Sequence, residues 1–162
     1  MAFSRRLAIS LALVTSSIAA SAAANASQST HAEVRTIVVR SVSTKVTVAK
    51  DTPPLQVFNT GDVLGVTDVL ENVSRQFGRP AGAAVGSDRG SARQLADGTM
   101  RYTGTAVLPG GTVSISGVLG NAQSRLDVTG GTGAYQGVRG SLIVGDGMTP
   151  LNTYRLIFPI AA

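Results

Sequence analysis

The sequence has no cysteine and no tryptophan, and His31 is its single histidine. Without cysteine the chain can form no disulfide, and a tetrahedral zinc site lacks the cysteine and histidine ligands that it needs. His31 lies in a polar segment near the N-terminus, so Ser-His-Asp and Cys-His catalytic systems have no suitable base. Carboxylates, arginines and tyrosines remain as candidate functional groups.

Charge is also scarce, since Asp, Glu, Lys and Arg together make up 14% of the 162 residues. The basic residues are scattered singly and do not form a run interleaved with aromatic residues, so the sequence does not indicate a nucleic-acid-binding protein. Low charge combined with 43% hydrophobic residues argues against disorder. The length is sufficient for one domain with its own core.

Long hydrophobic runs are absent except at the N-terminus. There Arg5 and Arg6 precede an uncharged segment, 7–22, and small residues up to Ala26 offer cleavage sites. This layout predicts a signal peptide over 1–26 and a secreted protein, with a flexible segment over 27–33. A membrane anchor is the alternative, but the apolar part is short and its second half is rich in Ser and Ala. The pattern leaves open whether export uses the general or the twin-arginine route.

Eight segments beyond residue 33 have the composition of β-strands, and several alternate with period two. The clearest alternation is VSTKVTV within 34–48, and 71–78 is the one short helical candidate. The weakest strand candidate is AGAAVGS, followed by SDRGS, which has the composition of a turn. The predicted strands cover 34–48, 62–70, 81–87, 99–108, 112–120, 124–130, 138–145 and 152–160.

Many short strands separated by glycine-rich turns predict an all-β domain over 34–162, either a sandwich or a barrel. Some strands, such as SLIV, are apolar on both faces, whereas a sandwich usually leaves one face of each sheet polar. Glycines inside strands, at Gly65, Gly104 and Gly117, suit close approaches within a barrel. These features favour the barrel.

The glycine-rich stretch GGTGAYQGVRG, residues 130–140, has some likeness to a phosphate-binding loop. The dinucleotide fingerprint needs a third glycine where Gln136 stands, and it opens a helix, whereas a strand pattern follows here. A nucleotide site is therefore not indicated. We expect Gly130, Gly131 and Gly133 to form a turn between antiparallel strands, with positive φ angles.

The segment LDVTGGTGAYQGVRGSLIV resembles the signature of the allene oxide cyclase and dirigent protein superfamily. GDVLGVTDVLENVSRQFGRPAG and DGTMRYTGTAVL are similar to two further segments of that family, in the same order. The resemblance covers roughly residues 57–160. It implies an eight-stranded antiparallel β-barrel of allene oxide cyclase/dirigent type, with a mainly hydrophobic cavity, no cofactor and a homotrimeric assembly.

The resemblance also implies a function, namely that the barrel binds a hydrophobic small molecule and directs its stereoselective cyclisation or coupling, as a cofactor-free cyclase or isomerase would. Orientation of a reactive ligand would be the main catalytic effect. Two alternatives stay open: a non-catalytic, lipocalin-like carrier of a hydrophobic ligand, and a structural protein whose barrel is filled by side chains. No carboxylate lies in 34–50, where allene oxide cyclases have an acidic residue, so that specific activity is not implied.

The resemblance assigns three candidate site residues. Asp68, which interrupts the apolar strand VLGVTDVL, would give acid–base help in the pocket; the alternative is a solvated or turn-bonding aspartate. Arg139 would pair with Asp68 or hold a ligand oxyanion, or else point outward into solvent. Tyr102 would bind the ligand through its hydroxyl, or else be an ordinary wall residue.

Three more residues are assigned structural roles. We expect Tyr135 and Phe158 to pack in the core and Asp62, which follows Gly61, to belong to a turn.

Overall fold

The computed structural model describes residues 32–55, 58–145 and 151–159. The predicted signal peptide, 1–26, lies outside these residues, as does most of the predicted flexible segment. The described residues form eight β-strands and contain no helix. The strands are β1 Glu33–Lys50, β2 Val63–Asn72, β3 Ala84–Gln94, β4 Met100–Leu108, β5 Gly111–Leu119, β6 Ser124–Gly133, β7 Arg139–Val144 and β8 Leu151–Phe158.

The strands form a closed barrel in which every strand pairs antiparallel with its sequence neighbour and β1 pairs with β8. The predicted eight-stranded antiparallel barrel is therefore confirmed. Closure leaves no open sheet edge, so the backbone donors and acceptors of the first and last strands are paired. Within the described ranges no helix is long and apolar enough to cross a membrane.

Period-two alternation places one face of each strand inside the barrel. In β6, Ser124, Leu126 and Val128 are buried, whereas the residues between them are exposed. The β-branched and leucine side chains of all eight inner faces meet in one hydrophobic core, which includes Val39, Leu70, Val113, Leu142 and Leu156. Burial of this apolar surface, rather than any disulfide, stabilises the fold.

β1 is long enough to pair with two neighbours over different stretches. It pairs with β8 from Glu33 to Arg40 and with β2 from Val39 to Lys50. The β1–β2 register shifts between Val42 and Lys45, as it also does at one point in the β2–β3 and β5–β6 ladders. Such bulges bend and twist a strand locally, which lets a small barrel close.

The structure corrects one predicted strand together with the turn predicted after it. SDRGS, predicted as a turn, lies in the middle of β3, which runs from Ala84 to Gln94 instead of ending at residue 87. The one helical candidate of the sequence, 71–78, is not a helix: β2 continues to Asn72, and a bend with a positive φ at Phe77 follows. The amide of Asn72 donates to three backbone carbonyls of this connection, so its local hydrogen bonds replace those of a helix.

The prediction that Gly130, Gly131 and Gly133 form the turn is wrong in its placement, because all three lie in β6 and only Gly133 has a positive φ. The turn itself begins at Thr132, whose carbonyl accepts a hydrogen bond from the N–H of Tyr135. Gly131 is required for close approach, since a Cβ there would lie 2.6 Å from the Tyr135 carbonyl oxygen. As predicted, a strand rather than a helix follows this stretch.

The predicted packing roles are confirmed. The rings of Tyr135 and Phe158 are both buried, with their centroids 6.3 Å apart. The carboxylate of Asp62 accepts backbone N–H groups of Thr52 and Asn59, each at 2.6 Å, and so fixes the connection between β1 and β2.

Candidate functional site

The interior of the barrel holds a cavity of about 210 Å³. Most of its wall is apolar, contributed by Val66, Leu119, Leu126, Leu142 and Val144. Its polar lining side chains are Ser41, Asp68, Asp88, Tyr102 and Asn152. An apolar enclosure with a few converging polar groups is the usual form of a small-molecule site.

Asp68 and Asp88 are the charged side chains of this lining. They lie directly opposite each other in the β2–β3 ladder, and residues in that relation have Cβ atoms about 5 Å apart. Asp88 is 5% exposed. The Oδ1 atom of Asp68 is buried and has no hydrogen-bond partner. The barrel thus brings two carboxyl groups together inside an apolar wall, where the charge of Asp68 makes it harder for Asp88 to carry a charge.

Tyr102 on β4 completes this group. Its hydroxyl donates a hydrogen bond of 2.7 Å to Oδ1 of Asp88. Burial raises the pKa of Asp88 to about 6; the bond from Tyr102 acts in the opposite direction, and the charge of Asp68 raises it further. Burial, followed by the charge of Asp88, raises the pKa of Tyr102, so the phenol remains a proton donor at neutral pH. Asp88 can therefore exchange a proton near neutral pH while Tyr102 holds one of its oxygens.

Two glycines make room for the ring of Tyr102. A Cβ at Gly90 would lie 2.5 Å from the Tyr102 Cζ atom, and one at Gly104 would lie 2.7 Å from the same atom. The two glycines face each other in the β3–β4 ladder, so the phenol lies over a strip of bare backbone. The expected close approach at Gly104 is confirmed, and it is what allows the hydroxyl of Tyr102 to reach Asp88.

Tyr154 on β8 stands close to the acid pair. Its side chain is fully buried and its hydroxyl has no hydrogen-bond partner. Burial raises its pKa, and the charges of Asp88 and Asp68 raise it further. Tyr154 is not part of the cavity lining, whereas Asp68 and Asp88 are.

The polar pair Asn152 and Ser41 joins β8 to β1 at another point of the lining. The amide of Asn152 donates to the Ser41 hydroxyl at 2.7 Å. Because the amide already makes this hydrogen bond, the pair stabilises the wall locally. The groups left for chemistry in the cavity are Asp68, Asp88 and Tyr102.

Of the three residues predicted from the sequence, the structure places Asp68 and Tyr102 in the cavity lining. Arg139 is exposed, and its guanidinium donates to the carbonyl of Val138 at 2.9 Å. Successive side chains of β7 point to opposite faces, and Leu142 and Val144 face the cavity. Arg139 is an odd number of positions from both, so its side chain points to the outer surface. The predicted pairing of Arg139 with Asp68 is therefore not formed.

Asp88 was missed because its segment has the composition of a turn. A signal was present, since Asp88, Gly90 and Ala92 alternate with Arg89, Ser91 and Arg93. Small residues and a lone carboxylate on one face, opposite a charged face, indicate a strand with a tightly packed inner side.

A larger and more open depression of about 650 Å³ lies on the outer wall of the barrel. It crosses the outward faces of several strands and is lined largely by small polar residues such as Thr67, Ser91 and Thr103, with Arg89 as its charged member. We assign the candidate site to the interior cavity despite its smaller volume, because enclosure strengthens electrostatic interactions and two carboxyl groups converge there.

Comparison of the sequence with protein-family models and with curated proteins finds no match. Solved structures do match. A pyocyanin demethylase is 24% identical with a TM-score of 0.56, and the alignment covers 76% of this chain and 98% of that chain. A pterocarpan synthase dirigent protein is 15% identical with a TM-score of 0.58, over 82% and 87% of the two chains.

A Diels–Alderase from Streptomyces koyangensis is 18% identical, with a TM-score of 0.56 and coverage of 84% of this chain and 73% of that chain. These similarities, together with the closed eight-stranded barrel, show that the chain has an allene oxide cyclase/dirigent-like fold. At such identities the likeness concerns the fold alone, and function has to be argued from the site.

Proposed function

We propose that this protein is an exported barrel that binds a small, largely apolar organic molecule in its interior cavity and directs the stereoselective cyclisation or coupling of that molecule. One observation carries the proposal. Asp68 and Asp88 lie opposite each other on the neighbouring strands β2 and β3, in a largely apolar cavity lining, and the hydroxyl of Tyr102 donates a hydrogen bond to Asp88. A structural barrel filled by side chains has no need of a cavity with two carboxyl groups.

The apolar wall and the acid pair have separate tasks in this proposal. The leucine and valine side chains restrict the ligand to few conformations, which lowers the entropic cost of forming one ring or one stereoisomer. Asp88, with a pKa of about 6, gives or takes a proton as the bond forms. Tyr102 orients the carboxyl group of Asp88, and the carboxyl group of Asp68 lines the cavity on the neighbouring strand.

The volume of the cavity limits the ligand. A cavity of about 150 Å³ accommodates benzene, so the 210 Å³ here suit a compact molecule of about one or two rings, or the reacting part of a longer one. The similar structures are named as a pyocyanin demethylase, a pterocarpan synthase dirigent protein and a Diels–Alderase. Each of these names refers to chemistry on a small organic molecule. These names support the ligand class.

A non-catalytic carrier is the second candidate, favoured by the predominance of apolar residues in the wall. The two candidates differ in what the acid pair does. A carrier loses little when a carboxyl group becomes an amide, whereas a cyclase that depends on proton transfer loses most of its rate.

The test uses the purified protein and two matched variants, Asp88→Asn in the cavity and Asp127→Asn on the exposed face of β6. Each is incubated with a metabolite extract of the producing cells, and products are followed by chiral chromatography with mass detection. We expect a stereochemically enriched product from the wild type and Asp127→Asn, and a rate lower by about 100-fold or more for Asp88→Asn. A compound retained unchanged by all three proteins would instead support the carrier.

Export and assembly belong to the proposal as well. Export depends on residues 1–26, which lie outside the described residues, and cleavage near Ala26 is expected. The proposed homotrimer comes from the resemblance, and it is supported by exposed apolar side chains on the outer wall, such as Val69, Val107 and Val118. N-terminal sequencing of the protein from the culture medium and its mass in solution test these two points.

A further inference from the structure

The four most exposed large apolar side chains of the described residues lie within one short stretch of the chain. They are Val46 and Val48 in the second half of β1 and Leu55 and Phe58 in the connection to β2, and each is between 51% and 66% exposed. Single exposed apolar side chains are normal on a protein surface, whereas a group of them in one place marks an interaction site. We call these four side chains the mouth surface.

Val46 and Val48 belong to the inward-facing side of β1. Val46 pairs with Val66 of β2, which lines the cavity, and directly paired residues point to the same face. β1 continues to pair with β2 as far as Lys50, whereas its pairs with β8 end at Arg40. The second half of β1 therefore extends beyond the barrel wall, which leaves the inner face of this half uncovered.

Leu55 and Phe58 are exposed although hydrogen bonds fix the backbone beside them. The side-chain amide of Asn59 donates to the carbonyls of Thr52 and Pro54, at 2.9 and 2.6 Å. These bonds add to those of the Asp62 carboxylate described above. The connection thus presents both apolar side chains outward from a fixed backbone.

The mouth surface lies at the end of the barrel that the cavity reaches. Because consecutive strands are antiparallel, β1, β5 and β7 all end there. Leu119 at the end of β5, and Val144 and Gly145 at the end of β7, line the cavity. The buried rings of Tyr135 and Phe158 occupy the opposite end. A ligand that enters or leaves by the open end passes beside the mouth surface.

Exposed basic side chains outnumber exposed acidic ones at this end of the barrel. Among the described residues the basic members are Lys45, Lys50, Arg93, Arg101 and Arg125, and the acidic members are Asp51 and Asp97. Lys45 and Lys50 border the two valines of β1 on either side. An anionic surface that approaches the mouth surface is therefore attracted to it.

An exposed apolar group bordered by lysines fits an anionic lipid surface. The apolar side chains enter the boundary between headgroups and acyl chains, and the lysines interact with the anionic headgroups. A second copy of this chain fits less well, because it would bring the same lysines near one another, and like charges that meet across an interface weaken it. The charge therefore favours lipid as the partner.

We propose that the mouth surface docks the protein reversibly on an anionic lipid membrane, with the open end of the barrel facing the bilayer. This docking goes beyond the function proposed above and does not involve the acid group of the cavity. Combined with that function, it places the cavity next to the phase in which an apolar ligand concentrates. The ligand then passes between lipid and cavity with little exposure to water.

The experiment that tests docking uses a tryptophan probe, since the sequence contains no tryptophan of its own. Phe58→Trp places the probe in the mouth surface, and Val34→Trp places it on an exposed position at the opposite end of the barrel. Vesicles of phosphatidylcholine, alone or mixed in equal parts with phosphatidylglycerol, are added to each purified protein. With the mixed vesicles we expect the emission of Phe58→Trp to move to shorter wavelength and that of Val34→Trp to stay unchanged.

Matched variants separate the apolar from the electrostatic contribution, with binding measured by sedimentation of the vesicles. Val48→Ser is expected to weaken binding to the mixed vesicles about fivefold, and Val34→Ser to leave it unchanged. Lys45→Gln is expected to weaken binding to the mixed vesicles about fivefold and to leave binding to phosphatidylcholine alone unchanged. Arg75→Gln, in the β2–β3 connection at the opposite end, is its control. Thermal melting confirms that each variant is folded.

Three results would overturn the docking. The first is an emission of Phe58→Trp that mixed vesicles do not change. The second is an emission that changes with protein concentration in the absence of vesicles and not on their addition, which would mean that a second copy covers the mouth surface. The third is an equal loss of binding in Val48→Ser and Val34→Ser, which would place the contact elsewhere.

The docking and the proposed cavity function can fail independently. Asp88→Asn is expected to bind the mixed vesicles as the wild type does, because Asp88 lies inside the barrel and not in the mouth surface. A wild type that docks but forms no product would overturn the cavity function alone. A wild type that forms the product but does not dock would overturn the docking alone.

Discussion

The β1–β2 connection and the barrel interior each contain a buried aspartate, and their surroundings shift the pKa of the carboxyl group in opposite directions. Asp62 is 3% exposed and Asp88 is 5% exposed. The carboxylate of Asp62 accepts two backbone N–H groups, and the bond from Asn59 is the main cause of its lowered pKa. Asp88 receives a single phenol hydroxyl, and burial raises its pKa to about 6.

The contrast shows that burial alone does not determine the role of a carboxyl group. Where backbone donors surround it, as at Asp62, the charged form is favoured and the group acts as a structural clamp for the loop. Where the donors are few and a second carboxyl group lies opposite, as at Asp88, the pKa of the carboxyl group rises towards neutral pH. That state suits proton transfer and is poor for stability.

The largest effect that would test this contrast is expected from Asp62→Ala. The N–H groups of Thr52 and Asn59 lose their acceptor, so the loop between β1 and β2 loses two of the bonds that fix it. We expect this variant to show a larger drop in melting temperature than the variants of Asp88 and Tyr102. Asp127→Ala is the matched control. An unchanged melting temperature would mean that Asp62 is not the clamp.

The second effect concerns Asp88→Asn and depends on pH. A raised pKa means that the folded state binds more protons than the unfolded state between about pH 4 and pH 6, so Asp88 lowers stability progressively across this window. A shift from 3.8 to about 6 corresponds to about 3 kcal/mol at most. We expect the variant to gain stability relative to the wild type as pH rises through the window.

Urea unfolding at pH 4, 5, 6 and 7 measures this difference, and the effects of titrating groups that lie away from Asp88 cancel when the variant is compared with the wild type. Asp62 does not interfere, since its pKa is lowered and its contribution is lost only as pH falls below its ordinary value. A constant difference between the two proteins across the series would show that Asp88 has no raised pKa.

The smallest effect is expected from Tyr102→Phe. Loss of the bond to Asp88 costs about 1 kcal/mol. Because that bond favours the charged carboxylate, its removal raises the pKa of Asp88 further, and the unfolding profile shifts to higher pH. The control is Tyr135→Phe, whose hydroxyl bonds the Pro109 carbonyl at 3.2 Å, away from the acid pair. An equal shift in both variants would contradict the assignment.

Much of the barrel was predictable because strands alternate visibly in the sequence. β6 and the second half of β1 have period-two patterns that need no tertiary information. β3 was only partly predicted, since GSDRGS is composed of residues typical of turns and becomes a strand only because β2 and β4 pair with it on both sides. Tertiary pairing here overrides a weak intrinsic preference.

The sequence by itself determined the all-β class and the candidates Asp68 and Tyr102, because one charged residue in an apolar strand and a motif resemblance are local features. Only the tertiary structure decided that Asp88 faces Asp68 and that Arg139 points away from both. Alternation shows which residues share a face, but barrel closure and register decide which face is inside. In β7, where both faces carry apolar residues, the sequence contained no information to make that choice.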